Sequence, residues 1–111
     1  MPRRSARQDV FVREAVRVLV GMGQLPNEDV GDDAFWVPWE RAVRALTGPA
    51  TDVEAAAVLD VLPAREDSSY ALAWHLLHFV ESAPGWPDWT LLDDRSPWVV
   101  FIRERAERGR A

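Results

Sequence analysis

YALAWHLLHFVESAPGWPDW, residues 70–89, is the stretch on which the fold turns. At about 100° per residue, Tyr70, Leu72, Ala73, Leu76, Leu77, Phe79 and Val80 cover nearly half the circumference of a helix. A face that wide needs neighbours on more than one side, so this segment is the expected central core helix. Asp67 or Ser68 is its expected cap, and it should run to about Ser82. Pro84 and Pro87 then forbid regular helix, so 83–94 reads as a loop rich in Pro and Trp.

The neighbours read as helices too. Ser96-Pro97 caps and starts a last helix, with Pro at the first helical position and Trp98, Val99, Phe101, Ile102 and Ala106 facing inward. Upstream, Thr51-Asp52-Val53-Glu54 has the spacing of a capping box and opens a helix over Asp52–Leu62, ended by Pro63. Before it, the tolerance of a helix's first turn for proline places a start near Val37, beside Pro38. That helix runs to Thr47 before Gly48-Pro49, with Phe35, Trp39, Ala42, Val43 and Leu46 on its inner side. A first helix spans about Ser5 to Gly21. Phe11, Val12, Ala15, Val16, Val18, Leu19 and Met22 form its inner side, and Arg13, Glu14 and Arg17 lie opposite. Gly21, Gly23 and Pro26 end it, and a loop follows from Gln24 to Asp33. No stretch alternates convincingly as a strand. The expected fold is all-α: one compact domain over residues 1–111, a bundle of four to five short helices, with residues 1–4 and 108–111 frayed.

Composition agrees and excludes several function classes. A chain of 111 residues with 48% apolar residues can bury a real core. It has no cysteine, so disulfides, thiol catalysis and Cys-based zinc sites are excluded. No apolar run approaches the ~18 residues that a membrane span needs. The opening MPRRSARQDV lacks the apolar core of a secretory signal, so a cytoplasmic protein is expected. All 13 basic residues are Arg, and Ala is abundant, a bias that fits a GC-rich genome. That bias does not account for six Trp: Trp36, Trp39, Trp74, Trp86, Trp89 and Trp98. Helical phase puts Trp39 and Trp98 inside. It leaves Trp36, Trp86 and Trp89 open between core and interface.

The segment LAWHLLHFVESAPGWP, residues 72–87, resembles a segment of uncharacterised small actinobacterial proteins. The resemblance implies no activity, cofactor or partner.

Charge is unevenly laid out. Residues 1–23 set five Arg against Asp9 and Glu14, a balance of +3. Residues 24–94 set Arg41, Arg44 and Arg65 against 14 acids, a balance of −11, and residues 95–111 return to +3. One consequence is simple pairing of the basic ends with the acidic middle. The other is a negative surface for a basic partner, since such patches select partners and raise association rates. Two acidic places also carry Trp: Glu28, Asp29, Asp32 and Asp33 before Trp36, and Trp86, Asp88, Trp89, Asp93 and Asp94. Trp is enriched at interface hot spots, and carboxylates beside it suit a basic protein.

Catalytic signals are poor. His75, His78 and Glu81 form a polar stripe, but their spacing is not that of the zinc-protease helix, and no third His exists. Pairing of His78 with Glu81 is the simpler expectation. Asp32-Asp33 and Asp93-Asp94 lack the spacing of a calcium loop. No cofactor is expected. Arg3, Arg4 and Arg7 at one end, and Arg103, Arg105, Arg108 and Arg110 at the other, resemble a phosphate-tracking row, but Glu104 and Glu107 interrupt it and the net charge is −5. Nucleic acid and membrane are therefore not expected partners. The sequence points to a non-catalytic acidic binding protein, in its most concrete form an immunity- or antitoxin-like inhibitor of a basic protein. The alternative is a regulatory or structural module that self-associates or docks through an apolar helix face.

Overall fold

The structure, a computed structural model, describes residues 12–64 and 71–110. Among them are five α-helices, one single-turn 3₁₀ helix and no strand. The helices are α1 (Glu14–Met22), α2 (Asp33–Arg44), α3 (Asp52–Leu59), α4 (Leu72–Glu81) and α5 (Pro97–Arg110), with the 3₁₀ turn at Trp89–Leu91. None is long and apolar enough to cross a membrane.

α4 is the hub. Leu72, Ala73, Leu76, Leu77, Phe79 and Val80 are all buried, as the width of its apolar face requires. α3 packs on one side of it and α2 on another, and α1 closes over α2 and α3. α5 joins by burying Trp98, Val99 and Ile102 in the same core. Trp74 of α4 meets Trp98 and Phe101 edge-on, each at a centroid distance of 5.5 Å.

The polar stripe of α4 stitches neighbouring elements to it. His75 Nε2 lies 3.0 Å from the Leu46 carbonyl at the end of α2. A carbonyl can only accept, so the proton sits on Nε2. The Ser82 hydroxyl accepts from Ala50 N at 2.8 Å. Glu81 accepts from Arg105 of α5 at 2.7 Å. The first two bonds satisfy backbone groups beside helix ends, and the third joins two side chains.

Several caps follow the sequence. Thr51 and Glu54 form the full capping box of α3. Ser96 Oγ accepts from Val99 N, with Pro97 first in α5. Gly23, at φ 91°, ends α1.

Other expectations are corrected. α2 starts at Asp33 rather than Val37, because the Asp32 carboxylate accepts from Phe35 N at 3.0 Å and caps an earlier turn. Pro38 therefore lies inside the helix and is tolerated on its exposed side. Phe35 has the inner phase, but it sits on the first turn, beyond the core, and is 38% exposed. Trp36 turns inward instead and is buried beside Trp39, Ala42 and Val43. α1 has Arg13 as its N-cap, so 12–13 is not helical; the rest of the expected N-terminal helix lies outside the described residues, as do the caps Asp67 and Ser68. Val18 is exposed, because α1 buries the side that carries Val16 and Leu19. α3 ends at Leu59, three residues early, in a turn that buries Val61 and Leu62. α5 runs to Arg110, with Arg103 and Arg105 tied to Asp94 and Glu81.

Arg13 is the largest departure from the sequence reading, which placed it on the solvent side. Its backbone N, Nε and Nη2 all donate to the fully buried Glu54 carboxylate at 2.8–2.9 Å. Nη1 reaches the Thr47 carbonyl and Nη2 the Pro49 carbonyl, both at 2.7 Å. The guanidinium also lies over the Phe79 ring, 5.3 Å from its centroid. One side chain thus ties the start of α1 to the α2–α3 loop, the start of α3 and α4. Burial pushes the Glu54 carboxyl up, but the bonds from Arg13 and from Thr51 N prevail and lower its pKa to about 2.

Candidate functional site

The first acidic segment, 24–35, is a braced loop running into α2. Leu25 is buried, and its N donates to the Val61 carbonyl at 2.8 Å. Gln24 donates from its side chain to the Leu62 carbonyl at 3.1 Å. A turn follows, with Val30 N on the Asn27 carbonyl at 3.1 Å. Gly31 has φ 76°, and a Cβ there would overlap the Phe35 side chain, so glycine is required twice over. Phe35 lies against that glycine and meets Trp36 edge-on at 5.5 Å. This places two exposed apolar side chains, Val30 and Phe35, beside Asp29 and Asp33. Among the described residues Asp29 and Asp33 form no ion pair. Asp33 stands in the first turn of α2, where the helix dipole favours negative charge. Glu28 is half-buried beside them, and Asp32 is engaged as the cap. Trp36, expected as a possible anchor, is 6% exposed and belongs to the core, so Phe35 takes the outer position.

The second acidic segment, 86–95, is organised by its own chain. Gly85 N donates to Asp52 Oδ1 at 2.8 Å, which pins the loop to the start of α3. Asp88 caps the 3₁₀ turn by accepting from Thr90 N and Oγ1. Arg95 donates to Asp93 at 2.8 Å and to Asp60, at the end of α3, at 2.7 Å. Arg103 donates to Asp94 at 2.8 Å. Hydrogen bonds from the Arg95 side chain and backbone N lower the Asp93 pKa. Asp93 and Asp94 thus already carry arginines, and the pairing of a basic end with the acidic middle is realised here. Trp86 is half-buried, and Trp89 is 40% exposed. Sequence reading found the carboxylates of this loop but not their partners: Arg95 reaches Asp93 from two residues away and Asp60 across the fold, and Arg103 reaches Asp94 from α5, nine residues on.

The stripe His75, His78 and Glu81 does not converge. His75 serves the Leu46 carbonyl, Glu81 pairs with Arg105 instead of His78, and His78 faces the Trp74 ring at 6.4 Å. Among the described residues no group of three His, Asp or Glu has the geometry to hold a metal ion. Arg103 and Arg105 are engaged by Asp94 and Glu81, which breaks the basic row of the last helix. Arg3, Arg4 and Arg7 lie outside the described residues.

The fold and its surfaces define a small all-α domain with one braced acidic and apolar edge. Compared with known protein families, with curated proteins and with solved structures, the chain matches none.

Proposed function

We propose that this chain is a small, non-catalytic acidic binding protein that engages a basic protein, in its most concrete form as an immunity- or antitoxin-like inhibitor. The observation that supports this is the edge at 28–35. There Val30 and Phe35 are exposed on a braced backbone beside Asp29 and Asp33, two carboxylates without an ion pair among the described residues. A rigid aromatic with charges at its rim is the usual anatomy of an interface anchor. A preformed backbone also lowers the entropy lost on binding. Asp88, Asp93 and Asp94 play a lesser part in this reading, since Thr90, Arg95 and Arg103 already engage them.

The alternative, self-association through an apolar helix face, has a weaker basis. Val18 and Val20 are exposed on α1, but they sit at opposite edges of its solvent arc, with Glu14, Arg17 and Gly21 between them.

The test uses the full chain as bait for lysate of the source cell, washed at low and high salt, beside two control baits, Asp29→Lys/Asp33→Lys and Phe35→Ala. A basic protein held by the parent chain at low salt, released by high salt and lost from both controls is the expected result. A partner that the charge-reversed bait retains equally well would sink the assignment.

A further inference from the structure

An open cleft of about 650 Å³ lies where the end of α4, the 83–94 loop and the last turns of α5 meet. Its lining includes Glu81, Trp86, Pro87, Arg105, Arg108 and Gly109. The volume is that of a small-molecule site. The walls differ in chemistry. Trp86 and Pro87 supply a flat apolar side. Opposite in character are two guanidinium groups and one carboxylate, a local balance of +1 on a chain whose total is −5.

The carboxylate is already matched. Glu81 accepts from Arg105 Nε at 2.7 Å, and Glu81 is the less exposed of the two, at 20% against 40%. This pair anchors Arg105 in one orientation. Arg108, one turn further along α5, is exposed and forms no ion pair among the described residues.

We infer that this cleft binds a small anion with a flat apolar body, an aryl carboxylate. Its ring lies against Trp86 and Pro87, and its carboxylate accepts from Arg108, with Arg105 held beside it by Glu81. The carbonyl end of α5 opposes an anion, but that repulsion is diffuse, whereas a guanidinium meets a carboxylate through two parallel charge-assisted hydrogen bonds. This site is separate from the acidic edge at 28–35 and selects the opposite charge.

The experiment is an NMR titration of the full chain with phenylacetate, phenylacetamide and inorganic phosphate. The Trp86 indole N–H is assigned with Trp86→Phe. The expected result is a saturable shift of the Trp86 indole and of the Arg105 and Arg108 side chains with phenylacetate. Phenylacetamide should leave them in place, and phosphate should give only weak, unsaturated shifts. Arg108→Ala should weaken phenylacetate about tenfold. Because Arg108 is exposed, that variant keeps its fold, which the remaining spectrum verifies. No saturable shift with phenylacetate, equal binding of the amide, equal binding of phosphate, or an Arg108→Ala variant that binds as tightly would each overturn the proposal.

Discussion

Glu54 shows how one residue joins local and tertiary structure. It completes the capping box of α3 with Thr51, a contact within one turn. It also takes three hydrogen bonds from Arg13, 41 residues away. A buried carboxylate is tolerated only when its charge is matched and its oxygens are bonded, and both conditions hold here. Its folded pKa is about 2, against 4.5 for the free side chain, so the unfolded chain binds the proton more tightly. The stability it contributes is therefore fully present above about pH 4.5 and is lost as pH falls towards 2. Urea unfolding at a series of pH values should show this fall, and Glu54→Gln should flatten it. At pH 7 that variant should lose about 3 kcal/mol, because the Arg13 charge loses its partner. Gly85 is a second such point. A Cβ there would stand 2.8–3.0 Å from the Asp52 carboxylate, which itself accepts from Gly85 N. Gly85→Ala should cost about 1 kcal/mol by displacing that bond. In an Asp52→Ala background the same change should cost little. Equal costs in the two backgrounds, measured by a double-mutant cycle, would refute this account.

Elements are set by where helices can begin and by what they can bury. α2 accepts Pro38 in its interior, although proline removes a backbone donor and crowds the preceding turn. The Asp32 cap makes the early start possible, at the expense of the bond that residue 38 would donate. Pro38→Ala should therefore stabilise the domain by about 1 kcal/mol, the restored bond outweighing the added freedom of the unfolded chain. Chemical denaturation at neutral pH measures it. α5 depends on α4 through aromatic packing. Trp74 meets both Trp98 and Phe101 edge-on, and such pairs contribute about 0.5–1.5 kcal/mol each beyond the area they bury. Trp74→Ala should cost about 2 kcal/mol, with the earliest loss of amide protection in α5. Uniform loss across all helices would contradict a local role in docking α5.

At the scale of the molecule, the uneven charge is partly neutralised within the fold. Arg95 bridges Asp60 and Asp93, Arg103 takes Asp94, and Arg105 takes Glu81. These pairs are largely exposed, so they guide the docking of α5 and its preceding loop more than they stabilise the domain. Arg95→Ala should lower the thermal midpoint slightly, and the difference should narrow as salt rises. After this pairing Asp29 and Asp33, at the 28–35 edge, are among the carboxylates that form no ion pair among the described residues.

The all-α class, the central place of α4, the capping box at Thr51 and the Ser96-Pro97 start were all legible in the sequence. Each depends on residues within a few positions of one another, where helical phase and capping chemistry act. Trp39 and Trp98 were legible as core for the same reason. Trp36 was not, because a residue at the edge of a helical face is buried or exposed by what the next element brings to it. Phe35 shows the converse: its phase points inward, yet it lies one turn beyond the core that would cover it. The bridging of Asp60 by Arg95, the role of Arg13 and the pairing of Glu81 with Arg105 were decided only by the tertiary structure. A charge along the chain has no fixed partner until packing brings distant segments within hydrogen-bonding reach. Local order thus came from short-range geometry, and which charges are paired came largely from long-range contacts.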